Sequence, residues 1–101
     1  MSHMNISIKD CLAYGNRGDP NYTDNHSGSG IIISGTTGGT VTNCTAHSNG
    51  DLNNSNGGGP VGIWTWNADN IVISHCLAYN NSCGTGKHDG GGFDIDGGYV
   101  L

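Results

Sequence analysis

Two aspartates near the end of the chain have the residue type and spacing needed for chemistry on one face of a strand. Asp94 and Asp96 alternate with Phe93 and Ile95, so if the apolar pair points inward, both carboxylates point outward together. Residues two apart on a strand lie roughly 7 Å from each other at Cα. Such a pair can hold Ca²⁺ or supply an acid and a base to a glycosidic bond. Asp94 and Asp96 are therefore candidate catalytic residues and candidate Ca²⁺ ligands, and no other cofactor is expected.

Two tryptophans occupy the equivalent outward positions one repeat earlier in the chain. They are Trp64 and Trp66, and one further repeat back the same positions hold Ile32 and Ser34. Aromatic rings beside carboxylates suit a sugar, which stacks its apolar face on a ring and hydrogen-bonds through its hydroxyls. We predict that Trp64 and Trp66 bind a saccharide substrate.

The polar loop before the aspartates adds further titratable side chains, Lys87, His88 and Asp89. His88 and His26 each lie four residues before the glycine that opens a strand of the repeat. A lyase can use Lys87 or Arg17 as its base, and a hydrolase can use Asp89 or His88. Lys87 and His88 are therefore further candidate catalytic residues.

An internal repeat supplies the strands that position these residues. Residues 5–16, 39–49 and 70–81 superimpose without gaps, and a second repeated segment opens at Gly30, Gly62 and Gly92. Each unit of roughly 32 residues contains short alternating strands, Asn and Gly turns and a long polar loop, and no helical period is found. Such a unit cannot bury its apolar side alone, so it must stack on copies of itself.

Stacking of these units predicts an all-β fold, a parallel β-helix (solenoid) of about three coils at approximately 5–38, 39–69 and 70–101. Long loops at 17–29, 50–61 and 82–91 should project from one corner. Residues 1–4 look like the remnant of an expression tag, so we leave them out of the fold and expect a subcloned or engineered segment. The predicted inward columns are Ile31/Ile63/Phe93, Ile33/Thr65/Ile95, Ile8/Val41/Ile73, Cys11/Cys44/Cys76 and Ala13/Ala46/Ala78, with Asn16/Asn49/Asn81 stacking their amides at a corner.

The repeated motifs Gly-Ile-x-x-x-Gly and Asn-Ile-x-Ile-x-x-Cys-x-Ala-x-x-Asn resemble the parallel β-helix repeats of the pectate-lyase-like superfamily. The resemblance covers nearly all of residues 5 to 98. It implies a right-handed solenoid and a secreted or cell-surface parent protein. That superfamily is rich in polysaccharide lyases, glycoside hydrolases and epimerases, and its coils also occur in non-catalytic surface proteins. No lyase or hydrolase signature is found at matching positions, so the resemblance transfers no catalytic residue.

Composition disfavours several other classes of protein. The net charge is −5 and the chain has only three Lys and Arg residues, so we expect no nucleic-acid partner. No apolar run approaches the ~20 residues that span a bilayer, and no targeting signal is recognised, so we expect no membrane partner. Cys11, Cys44 and Cys76 are better explained as buried thiols than as metal ligands. Cys83 is either a free thiol or a partner of Cys76.

The sequence leaves two functions open. No cap is recognised at either end of the predicted solenoid, and uncovered rungs offer unpaired backbone groups to similar strands. We therefore expect self-association through the open ends, and favour a structural, self-associating solenoid fragment that has no catalysis of its own and derives from a carbohydrate-processing type of protein. The alternative is a polysaccharide-binding or polysaccharide lyase or hydrolase module that uses the outward Trp and Asp face.

Overall fold

Eight β-strands and no helix form the described part of the chain, residues 3–87 and 89–100, in this computed structural model. None of these residues belongs to a helix that could cross a membrane. The strands are β1 (His3–Lys9), β2 (Leu12–Tyr14), β3 (Ile31–Ser34), β4 (Thr36–Thr42), β5 (Thr45–His47), β6 (Ile63–Ser74), β7 (Leu77–Tyr79) and β8 (Phe93–Val100).

Every strand pairing is parallel, as the repeat predicts. One sheet has the order β1-β4-β6-β3, with β8 also paired to β6, and a smaller sheet has the order β2-β5-β7. The long strand β6 serves two walls, because residues 63–66 pair with β3 and residues 69–74 pair with β4. The fold is therefore the predicted parallel β-helix, in which the chain returns to each wall once per coil.

The strand register confirms the predicted columns. Ala13 lies beside Ala46 and Ala46 beside Ala78, and most of the buried apolar side chains come from the middle coil. Phe93 and Ile95 occupy their predicted column positions beside Ile63 and Thr65 but are 51% and 53% exposed, because no described strand pairs with the far side of β8. The core consists of Ile33, Val41, Cys44, Ala46, Ile63, Ala68 and Ile71.

The prediction of three buried thiols is correct for Cys44 and wrong for Cys11, which is exposed because no described strand pairs with the outer side of β1 or β2; Cys76 is partly buried. Cys44 is buried, and Cys11, Cys44 and Cys76 each direct the thiol to the carbonyl two residues earlier. All four cysteines are free. Cys83 is therefore a free thiol and is not the partner of Cys76.

Left-handed residues at repeated positions turn each coil. Such positive φ angles strain most side chains but suit Gly, Asn and Asp, which explains why those residues are so frequent in this chain. The columns of positive-φ residues are Asn5/Gly38/Asn70, Gly35/Asn67/Gly97, Asp10/Asn43/His75 and Gly15/Ser48/Asn80.

Asn16, Asn49 and Asn81 stack at one corner, as predicted. Oδ1 of Asn49 accepts hydrogen bonds from the backbone N–H and the side-chain amide of Asn16, at 3.1 and 3.0 Å. Asn81 receives the same two bonds from Asn49, at 3.2 and 2.9 Å. The three long loops begin directly after these asparagines. Because the asparagines stack, the loops also begin one above the other.

The long loops lie on one corner and bind each other. Asn53 is fully buried in the second loop. Its Oδ1 accepts the N–H of Ser27 in the first loop, and its Nδ2 donates to the carbonyl of Cys83 in the third loop. One side chain thus fixes the relative positions of all three loops, which form the wall of the site described below.

The first residues of the chain take part in the fold. β1 begins at His3, and His3 and Met4 pair with Thr36 and Thr37. Leaving residues 1–4 out of the fold was therefore wrong for these two residues. The origin of the segment as a tag remnant or engineered piece, and the coil boundaries at 38/39 and 69/70, stay predictions.

Candidate functional site

Three parallel strands present the predicted site residues on one floor. The register sets Ile32 of β3 beside Trp64 of β6 and Trp64 beside Asp94 of β8, with Ser34, Trp66 and Asp96 aligned in the same way. These six residues line an open cleft of about 410 Å³. The alternation of strand side chains, read from the sequence, accounts for this floor.

The stacked loops supply the wall of the cleft. The first loop contributes Asn25 and His26, the second Gly58 and Gly59, and the third Asp89. The Asp89 carboxylate accepts a hydrogen bond from the backbone N–H of Gly59, which joins the second and third loops. The wall is therefore polar, while the floor is partly aromatic.

Trp64 is covered by the first loop. It is only 7% exposed, and its Nε1–H donates to Oγ of Ser29 at 3.1 Å. The imidazole of His26 meets the indole edge-on, with ring centroids 5.0 Å apart and the planes at 70°. Trp64 is thus a packed part of the cleft whose N–H is already used.

Trp66 is the exposed aromatic residue of the cleft. It is 53% exposed, and it lies beside Ser34 on one neighbouring strand and Asp96 on the other. Of the two predicted substrate-binding tryptophans, Trp66 is therefore the one that has a ring available to a ligand.

His26 is a half-buried titratable group in the wall. Burial lowers the pKa of His26 below its ordinary value of 6.5, and the Asp89 carboxylate opposes this shift only in part. A Cβ atom at Gly59 would come within 2.6 Å of the imidazole Cγ of His26, so a glycine is needed there. The imidazole is therefore neutral near pH 7 and can accept a proton or a hydrogen bond from a ligand.

The candidate cationic bases do not line the cleft. Arg17 binds Asp51 through Nε and Nη2, at distances of 2.7 to 3.0 Å. The hydrogen bonds and charge of Asp51 raise the pKa of Arg17, so the guanidinium holds its proton more tightly and is less suited to the predicted role of base. Lys87 is exposed and is not among the lining residues. His88, the remaining catalytic candidate, lies outside the described residues.

Asp94 and Asp96 both line the cleft, and neither carboxylate has a hydrogen-bond or ion-pair partner among the residues that the structure describes. Across residues 3–87 and 89–100, no group of three or more His, Cys, Asp or Glu side chains is arranged to hold a metal. Ca²⁺ prefers six to eight oxygen ligands. Calcium binding by Asp94 and Asp96 stays a prediction.

One aromatic feature was missed in the sequence. The rings of Tyr14, His47 and Tyr79 stack along the outer face of the small sheet, with centroids 5.2 and 4.8 Å apart and planes within 6°. The repeat aligns these residues, and parallel strands about 4.8 Å apart impose ring stacking on such a column. The wall residues Asn25, Gly58 and Gly59 had no comparable signal, because they lie in loops that do not repeat.

The geometry agrees with comparisons against known proteins. A family model described as "right handed beta helix region" matches residues 1–100, which is almost the whole chain. No curated protein and no solved structure matches the chain significantly. The family-model match gives the right-handed sense of the coils, and the parallel strand pairing agrees with it. This chain belongs to the right-handed β-helix family.

Proposed function

We propose that the chain binds a saccharide in the cleft, with Trp66 as the stacking platform. The observation that supports this most directly is an aromatic ring, 53% exposed, inside a cleft that also holds Asp94 and Asp96. An exposed aromatic ring beside polar groups is the arrangement that suits the two-faced character of a sugar. The parent protein would then act outside the cell or at its surface.

Binding is better supported than catalysis. A lyase needs a base, and the two cationic candidates, Arg17 and Lys87, do not line the cleft. A hydrolase remains compatible with the residues present, since Asp94 or Asp96 could act as the acid and His26 as a proton acceptor. Product analysis after incubation with each bound oligosaccharide separates binding from hydrolysis.

Calorimetric titration with a panel of oligosaccharides tests the proposal. Trp66→Ala should weaken binding by roughly fivefold or more, because stacking on one ring contributes about 1 kcal/mol or more. Tyr22→Ala is the matched control, since Tyr22 is an exposed aromatic residue outside the cleft. Equal binding by both variants, or no binding by the wild type to any member, would reject the site. Repeating the titration with Ca²⁺ and with a chelator tests the predicted metal.

A second candidate function is head-to-tail self-association of the solenoid. In the column of Asn16, Asn49 and Asn81, the side-chain amide of each residue donates a hydrogen bond to Oδ1 of the asparagine one coil later. Oδ1 of Asn16 and the backbone N–H of Asn81 consequently have no partner among the described residues. An Asn81 donor and the Asn16 acceptor of a second copy fit each other, and such a head-to-tail contact extends into a filament.

Two further features support this second candidate. Phe93 and Ile95 expose core-column side chains at the same end. The corner column that begins with Asp10 and continues through Asn43 ends with His75, so stacking would place His75 beside Asp10 of a second copy. Both contacts require the same head-to-tail register.

Light scattering during size-exclusion chromatography over a concentration series tests self-association. Ile95→Lys should abolish it by placing a charge in the core column, whereas Val72→Lys on the outer face is the control. In this register His3–Ile6 of a second copy would overlap Gly98–Val100, which already pair with β6. Deleting residues 1–6 should therefore strengthen association. A wild-type monomer at every concentration would contradict this candidate.

A further inference from the structure

The charge of the cleft restricts which saccharide can enter it. Its lining includes Asp89, Asp94 and Asp96, and none of the lining residues that the structure describes is a Lys or Arg. The lowered pKa of His26 keeps that imidazole uncharged near neutral pH. An anionic sugar such as a uronate would therefore bring like charges together, which weakens binding.

Two of the three carboxylates are available to a ligand. Asp89 already accepts the N–H of Gly59, whereas Asp94 and Asp96 have no partner among the described residues. Both lie on the strand next to the tryptophans, in register with Trp64 and Trp66. A cation over the exposed Trp66 ring would be attracted by the ring face and by the neighbouring carboxylate at once.

We infer that the saccharide bound in this cleft is a cationic amino sugar, an oligomer whose residues carry free protonated amines. The inference rests on the proposed function and specifies its ligand class. The Trp66 ring takes the apolar face of one sugar unit, and Asp94 and Asp96 pair with the ammonium groups. Asn25 and Ser34 in the lining offer hydrogen bonds to the hydroxyls.

A basic peptide is the other ligand class that could satisfy the carboxylates. The sugar is favoured because an exposed, flat indole in a polar-walled cleft matches the apolar face and hydroxyl rim of a pyranose ring. A short lysine oligomer enters the experiment as the competing ligand.

Calorimetry near neutral pH, where the His26 imidazole is uncharged, and at low salt tests the inference with four probes of equal length: a glucosamine oligomer, its fully N-acetylated form, a galacturonic acid oligomer and a lysine oligomer. We expect the glucosamine oligomer to bind about tenfold more tightly than the acetylated form, with an affinity that falls as salt rises. The galacturonic acid oligomer should not bind.

The Asp94→Asn and Asp96→Asn double variant isolates the charge contribution. It should lose most of the preference for the free-amine oligomer over the acetylated form. Because acetyl bulk affects wild type and variant alike, the difference between their preferences measures what the two carboxylates contribute. Asp19→Asn, the same change at an exposed position outside the cleft, should keep the wild-type preference. Circular dichroism of each variant confirms that the fold is retained.

The outcomes separate the inference from the function on which it rests. Tighter binding of the acetylated or galacturonic acid oligomer overturns the amino-sugar inference and leaves saccharide binding intact. Absence of binding to every sugar overturns both. Equal or tighter binding of the lysine oligomer also overturns the inference.

Discussion

The side-chain amide of Asn49 donates a hydrogen bond of 2.9 Å to Oδ1 of Asn81, one coil away. The same amide also reaches the carbonyl of Ala13, at 3.2 Å. Asn49 is 1% exposed and accepts two bonds from Asn16 as well. One buried side chain therefore links three successive coils at the corner from which the loops of the cleft depart.

Asn49→Ala should lower the free energy of unfolding by about 2–4 kcal/mol, because it removes these bonds and leaves buried polar groups unpaired. Asn56→Ala is the control, since Asn56 is an exposed loop residue. Chemical denaturation of both variants measures the difference. Equal stability would mean that the column does not contribute as described.

Gly59→Ala should disturb the wall of the cleft. Gly59 has a φ of +72°, and an added Cβ would meet the ring of His26. We expect a loss of about 1–3 kcal/mol in unfolding free energy, together with weaker saccharide binding. Gly57→Ala in the same loop has open space around it and should change neither quantity. A similar loss in both variants would contradict the contact between Gly59 and His26.

The lowered pKa of His26 predicts a pH dependence of stability. The folded state binds a proton at this site less readily than the unfolded state, so acidification favours unfolding. The contribution of the uncharged His26 to the free energy of unfolding is fully present above the ordinary pKa of 6.5, and it is lost as pH falls through the lower pKa of the folded state. His26→Gln should flatten the curve of unfolding free energy against pH in that range. An unchanged slope in the variant would assign the dependence to other groups.

The four cysteines should react with a thiol reagent at different rates. Cys44 is 1% exposed in the core, whereas Cys11 is exposed at the first coil. In the native protein, the reagent should therefore label Cys11 fast. Cys44 should be labelled only when the protein unfolds. Mass spectrometry of labelled peptides measures the order. Rapid labelling of Cys44 would be inconsistent with its place in the core column.

The sequence predicted the coils and the floor of the site because both depend on repetition. Equivalent residues stack in parallel strands, so aligning Ile32, Trp64 and Asp94 was enough to place them together. The cover over Trp64 was not predictable, since Ser29 and His26 reach it from a loop whose path has no repeated counterpart. The pairing of Arg17 with Asp51 depends on loop stacking in the same way.

Nuclear magnetic resonance of the indole N–H groups tests saccharide binding in the cleft most directly, because the chain has only two tryptophans. Trp66→Phe assigns the two signals. During titration with the glucosamine oligomer, the signal of Trp66 should shift in proportion to occupancy, while that of Trp64, bonded to Ser29, should shift much less. Two unmoved signals with every sugar tested, or a shift confined to Trp64, would contradict a saccharide site on the Trp66 ring.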